Sequence, residues 1–162
     1  MSIPSVAPEP PAYTDAAAEV DAWTSRKRRP RGEGDAFSES RMKAAAARLD
    51  DVIRSQSWKD AKPIEFLALF MRMHEKVYGS PFVSTSLERR RATLMFATCI
   101  RTYFRDDRAR FADFMRWTWR REMRTEKWRR ENGQPGRVIG VRLQVSSMLF
   151  NEWRVDVERG RG

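Results

Sequence analysis

The sequence predicts a mainly α-helical fold: a four-helix, bundle-like domain over residues 37–157, a short C-terminal β-hairpin, and a disordered N-terminal tail. Three observations carry this. Apolar residues recur at helical spacing through four segments. Capping and breaking residues bound each segment. Five of the eight prolines fall before residue 37.

The tail, residues 1–36, holds Pro4, Pro8, Pro10, Pro11 and Pro30. It also carries the basic run Arg26, Lys27, Arg28, Arg29 and Arg31, with Gly32 and Gly34 after it. Such a composition buries too little apolar area to offset the entropy of ordering. A short helix is expected within it around Thr14 to Thr24. Asp15, Glu19 and Asp21 make it polyampholytic.

The first helix is expected over about Phe37–Gln56, capped by Ser38. Met42, Ala46, Leu49 and Ile53 recur on one face. Pro63 suits the first turn of a second helix, which should end at Gly79. Its run Ile64 to Met71 is apolar on nearly all sides, so this helix should be central. Thr85 and Glu88 form a capping box for a third helix, running to about Phe104. Met95, Cys99 and Tyr103 should line one face, with Phe96 and Ile100 beside it.

Asp106 and Asp107 read as a break and a cap. A fourth helix should follow to Asn132-Gly133. Phe111, Phe114, Met115, Thr118, Trp119 and Glu122 share one face; Trp117, Arg121, Arg124 and Trp128 share another. Beyond Gln134-Pro135-Gly136 the period becomes two. Ile139, Val141, Leu143 and Val145 alternate with polar residues or Gly140, and Trp153, Val155 and Val157 alternate again. These two stretches read as a hairpin packed on the helices. Residues 158–162 read as a frayed end.

Charge sets the functional classes. The 162 residues carry 32 Lys plus Arg against 22 Asp plus Glu, a net charge of +10. Residues 63–162 hold +9 of it, and 26 of the 32 cations are Arg. A basic balance of this size favours polyanions, nucleic acid first, with DNA expected over RNA. No apolar run is long enough for a membrane span, and no stretch reads as a secretory signal. The expected location is the cytoplasm of a bacterial host, or its nucleoid; in a eukaryote it would be the nucleus. One cysteine and one histidine leave no Cys-rich or His-His metal motif. No cofactor, metal or catalytic set is expected.

The candidate nucleic-acid contacts are Arg89, Arg90, Arg91, Arg101, Arg105, Trp117, Arg121, Arg124, Trp128 and Arg137, with tail contacts from Arg26, Lys27, Arg28, Arg29 and Arg31. Arginine neutralises phosphate while tryptophan stacks on bases. The bland alternative for the Trp117–Trp128 stripe is packing, with at least one ring buried. The Arg89–Arg91 triplet opposes the helix dipole, which suggests a role outside folding. Arg101, Arg105 and Arg108 would form one ridge if the helix continued that far. The loop from Asn132 to Arg137 offers amides and Arg137 to a phosphate, or simply connects. The basic run of the tail serves equally as a binding arm or a soluble linker. His74 and Cys99 fit core roles better than catalytic ones, and Asp106, Asp107 and Asp113 lack the acidic partners of a metal-dependent nuclease.

The segments Trp128 to Gly133, Arg137 to Gln144 and Met73 to Gly79 resemble small basic accessory proteins encoded by bacteriophages of GC-rich hosts. That resemblance implies a protein acting on nucleic acid or on the host machinery that handles it. It carries over no site residues. The alternative function is a protein-interaction module docking on a replication or transcription protein, since Arg and Trp also anchor protein interfaces. Self-association is left open.

Overall fold

A computed structural model describes residues 36–160. The expectations for residues 1–35, including the basic run at residues 26–31 and the helix near Thr14, lie outside the described residues.

The expected mainly helical fold is found. Helix α1 is Glu39–Ser55, with Ser38 accepting from the Arg41 amide. Its buried face is Met42, Ala45, Leu49 and Val52; of the expected stripe Met42 and Leu49 are on it and Ala46 packs beside it, partly buried. Ile53 is exposed. The 3-4-3 spacing of the buried set follows the helical turn, and the two candidate stripes differ by rotation through one residue.

A short 3-10 turn at Trp58–Asp60 leads to α2, Pro63–Tyr78. Glu65 through Phe70 are all buried, so α2 is central as its sequence predicts. It packs against α1, α3 and α4. The buried Glu65 carboxylate accepts from the Lys62 amide at 2.8 Å and from Arg48 at 2.9 Å. That neutralises the charge at the positive end of the helix. Gly79 ends α2 with φ +74°, a left-handed conformation that glycine adopts without strain.

Helix α3, Ser86–Phe104, begins at the Thr85–Glu88 capping box. Helix α4, Arg108–Glu131, begins where the Asp107 side chain accepts from the Arg110 amide. Between them Arg105 and Asp106 have φ +51° and +64°. The helix therefore stops at Phe104, and the expected ridge of Arg101, Arg105 and Arg108 does not form. Arg108 instead turns inward and donates to the Ala61 carbonyl at 2.9 Å.

The apolar face of α4 is as the spacing predicts: Phe111, Phe114, Met115, Thr118, Trp119 and Glu122 are all buried. Its rings join those of α2 and α3, with Phe66 edge-on to Phe111 at 4.9 Å and Phe70 edge-on to Trp119 at 5.3 Å. Each fully buried Phe of this cluster contributes about 1.5–3 kcal/mol in transfer terms.

The C-terminal hairpin is not formed, and there is no strand among the described residues. Val141–Gln144 makes one helical turn, α5, and Ser147–Glu158 makes α6, capped by Ser146. The reason is tertiary. As a helix, the segment brings Leu149, Phe150 and Trp153 to one side. Trp153 then meets Phe104 at 5.5 Å and Phe114 at 5.6 Å, and Phe150 stacks on Tyr103 at 5.0 Å. Alternation of Val155 and Val157 is outweighed, and both valines remain partly exposed.

Candidate nucleic-acid interface

Helix α4 carries the stripe Trp117, Arg121, Arg124 and Trp128, and α6 crosses only its first half. Trp117 is 7% exposed and donates its indole N–H to Asp156 at 3.1 Å. Arg121 lies over the Trp117 ring at 5.3 Å and pairs with Glu152 of α6. Arg110, earlier on the helix, lies over Trp153 at 5.4 Å. A base cannot stack on a ring already covered by a helix and an arginine. Trp117 therefore packs inside the fold, while Arg121 stays exposed in a surface ion pair with Glu152.

The second half of the stripe is open. Trp128 is 56% exposed. Arg124, one turn before it, is exposed and its side chain has no partner among the described residues. Lys127 beside them makes only a loose pair with Glu131 at 3.8 Å. An indole left half in water beside an unpaired guanidinium can stack on a base while the cation meets the adjoining phosphate.

Two arginines near this end of α4 do a different job. Arg129 is mostly buried between Glu122 at 3.3 Å and Glu126 at 3.8 Å, and it also donates to the Arg137 carbonyl. Arg130 pairs with Glu126 at 3.0 Å and donates to the Val77 carbonyl of α2. The loop after α4 is held on the same network. Tyr78 donates to Glu122 at 2.8 Å and accepts from the Ile139 amide at 3.0 Å. Burial pushes the Tyr78 phenol above its usual pKa; the amide bond opposes this and Glu122 adds to it. The side chain of Arg137 remains exposed. It lines a 180 Å³ cleft with Arg121, Arg129 and Glu152, so part of the charge around it is already balanced.

The α3 triplet separates into three fates. Arg89 is buried and donates to the Phe37 carbonyl at 2.6 Å and to the Ser84 carbonyl. Arg89 thus ties the entry of α1 to α3, a folding role that the sequence reading did not give it. Arg90 is half-buried and engaged. Arg91 is exposed and has no side-chain partner among the described residues, as do Arg101 and Arg105. Arg142 and Arg154 are equally open. They were missed because nothing in sequence spacing distinguishes a paired arginine from an open one.

The lone histidine and the lone cysteine are internal. His74 is buried and its Nδ1 donates to the Ser80 carbonyl at 3.0 Å. Burial pushes the Cys99 thiol up to about 12, which suppresses the thiolate. Asp107 caps α4 and Asp113 pairs with Arg116 at 3.1 Å. Among the described residues no three His, Cys, Asp or Glu side chains converge as a metal site. No helix among them is long and apolar enough to cross a membrane.

No family model matches the chain, and no curated protein or solved structure matches it significantly. The resemblance to phage-encoded accessory proteins therefore rests on the three sequence segments alone.

Proposed function

We propose that this chain is a non-enzymatic nucleic-acid-binding accessory protein that engages a single strand, DNA in preference to RNA, at the open end of α4. The observation that supports it most is half-exposed Trp128 with, one turn away, an exposed Arg124 that has no side-chain partner among the described residues. Of the rest of that stripe, Trp117 is buried and Arg121 is ion-paired with Glu152. A large ring left in water costs free energy, and stacking on a base recovers about 1–3 kcal/mol. A single flat ring flanked by cations suits an unstacked strand better than a closed duplex groove.

The site is smaller than the composition suggests. Six to ten neutralised phosphates would cost roughly a thousandfold or more in affinity between 50 and 200 mM salt. With Trp117 and Arg89 buried and Arg121 ion-paired with Glu152, about three phosphates of a single strand is the better expectation. The slope of log K against log salt is then about −2, or roughly 20-fold over that range.

The test is a fluorescence-anisotropy titration of the full chain with single-stranded DNA, duplex DNA and RNA at two salt concentrations. Single-stranded DNA should bind best, and Arg124→Ala should reduce the salt slope. Salt-independent binding, or a slope that Arg124→Ala leaves untouched, would sink the proposal.

A further inference from the structure

The outer face of α3 has a pattern that the nucleic-acid reading does not use. Leu87, Arg91, Leu94, Thr98 and Arg101 follow one another at intervals of four, three, four and three residues. That spacing keeps all five on one line of the helix surface. None of the five is buried by the fold. Leu87 is 51% and Leu94 59% exposed, and Arg91 and Arg101 have no side-chain partner among the described residues. Beside the line runs an apolar groove of about 330 Å³, where Met95, Cys99 and Tyr103 face Val145.

From this arrangement we infer that the outer face of α3 docks an acidic amphipathic helix of a protein partner. The proposal is independent of the Trp128 end of α4. Two leucines seven residues apart are the i and i+7 anchors of helix-on-helix recognition. The groove beside Leu94 accepts the partner's own apolar side chains. Arg91 lies one turn before Leu94 and Arg101 two turns after it, so the partner must carry carboxylates at matching distances on either side of its central apolar residue.

Charge decides between occupants. The only acid on α3 is Glu88, and its carboxylate accepts from the Thr85 amide at 2.7 Å. The face carries no carboxylate of its own on the line of Leu87, Arg91, Leu94, Thr98 and Arg101. A second copy of this face would set arginine against arginine, which disfavours self-docking. A nucleic-acid strand would satisfy the arginines but not the leucines, because an aliphatic side chain offers no ring for stacking. An acidic amphipathic helix satisfies both.

The experiment uses the full chain and a synthetic acidic amphipathic peptide of about 18 residues, five helical turns. Leucines on the peptide sit at i, i+3, i+4 and i+7, with glutamates flanking them. A scrambled peptide of the same composition is the control. Binding is read by anisotropy and by the gain of peptide helicity in circular dichroism.

The expected result is micromolar binding of the patterned peptide, weakened about tenfold by Leu94→Asp and by Arg101→Glu. A peptide carrying Lys at the facing position should restore binding to the Arg101→Glu protein. Leu94→Ala, which adds no charge, serves as the second variant if Leu94→Asp disturbs the fold.

Three outcomes would overturn the inference. One is equal binding of the scrambled peptide, or none of the patterned one. Another is self-association of the chain that Leu94→Asp abolishes, which would assign the face to a second copy. The third is a loss of oligonucleotide affinity in Leu94→Asp without any peptide binding, which would assign it to nucleic acid. Loss of oligonucleotide binding in Trp128→Ala bears only on α4 and leaves this inference standing.

Discussion

Trp117 on α4 donates its indole N–H to Asp156 on α6 at 3.1 Å. This one bond joins the middle of the longest helix to the last one. Eleven residues further along the same face, Trp128 has no such cover. Two tryptophans on one stripe thus have opposite roles, one in packing and one at the surface.

Truncating each ring should separate those roles. Trp117→Ala should destabilise the protein by about 3–5 kcal/mol, the usual cost of deleting a buried large aromatic. Trp128→Ala should change stability by no more than about 0.5 kcal/mol. Its effect should appear in oligonucleotide affinity, as a loss of about 1–3 kcal/mol for one stacked base. Urea unfolding and anisotropy on the same two proteins measure both. A marginal stability change in Trp117→Ala would contradict the packing role.

Arg89 and Arg91 differ by two residues and by everything that matters energetically. Arg89→Met leaves the Phe37 and Ser84 carbonyls without their charged donor. Hydrogen bonds to a charged group contribute about 1.5–3 kcal/mol each, so a loss of about 3–6 kcal/mol is expected for the two. Arg91→Ala removes the same formal charge from an exposed site and should cost less than about 0.5 kcal/mol. Thermal melts of the two variants test this, since a general charge effect would move both equally.

Tyr78→Phe should loosen the loop after α4. The substitution takes away the donor to Glu122 and the acceptor for the Ile139 amide. Leaving such groups unsatisfied costs about 1–3 kcal/mol. Amide exchange at Ile139 should accelerate while the amides of α2 change less. Uniform acceleration throughout the chain would show that the loop has no local stability of its own.

Cys99 should be unreactive until the protein unfolds. Its thiol is buried at the floor of the groove beside Leu94, and that burial pushes it up to about 12. The folded state thus holds the proton more tightly than the unfolded one. The linked stability is fully present below about pH 9 and is lost as pH rises toward about 12. Labelling with a thiol reagent at pH 8 should be slow in buffer and fast in urea. Cys99→Ala should flatten the alkaline fall in stability, and an unchanged slope would show that other groups cause it.

The sequence by itself determined where four helices begin and end. Ser38, the Thr85–Glu88 box, Asp107 and Gly79 act through bonds to their own backbone neighbours, so local chemistry settles them. It also determined the inner faces of α2 and α4, because those faces are apolar at an unmistakable period. Only the tertiary structure decided the form of the C-terminal segment. There the alternating valines favour a strand, while Phe104 and Phe114 offer a surface that Trp153 fits as part of a helix. The same holds for the candidate site. Every arginine looks alike in sequence, and its role depends on a partner distant along the chain: Phe37 for Arg89, Ala61 for Arg108, Glu152 for Arg121. What remains open, Arg124 beside Trp128 and Arg91 and Arg101 beside Leu94, is defined by where packing stops, and that boundary is set by long-range contacts rather than by spacing.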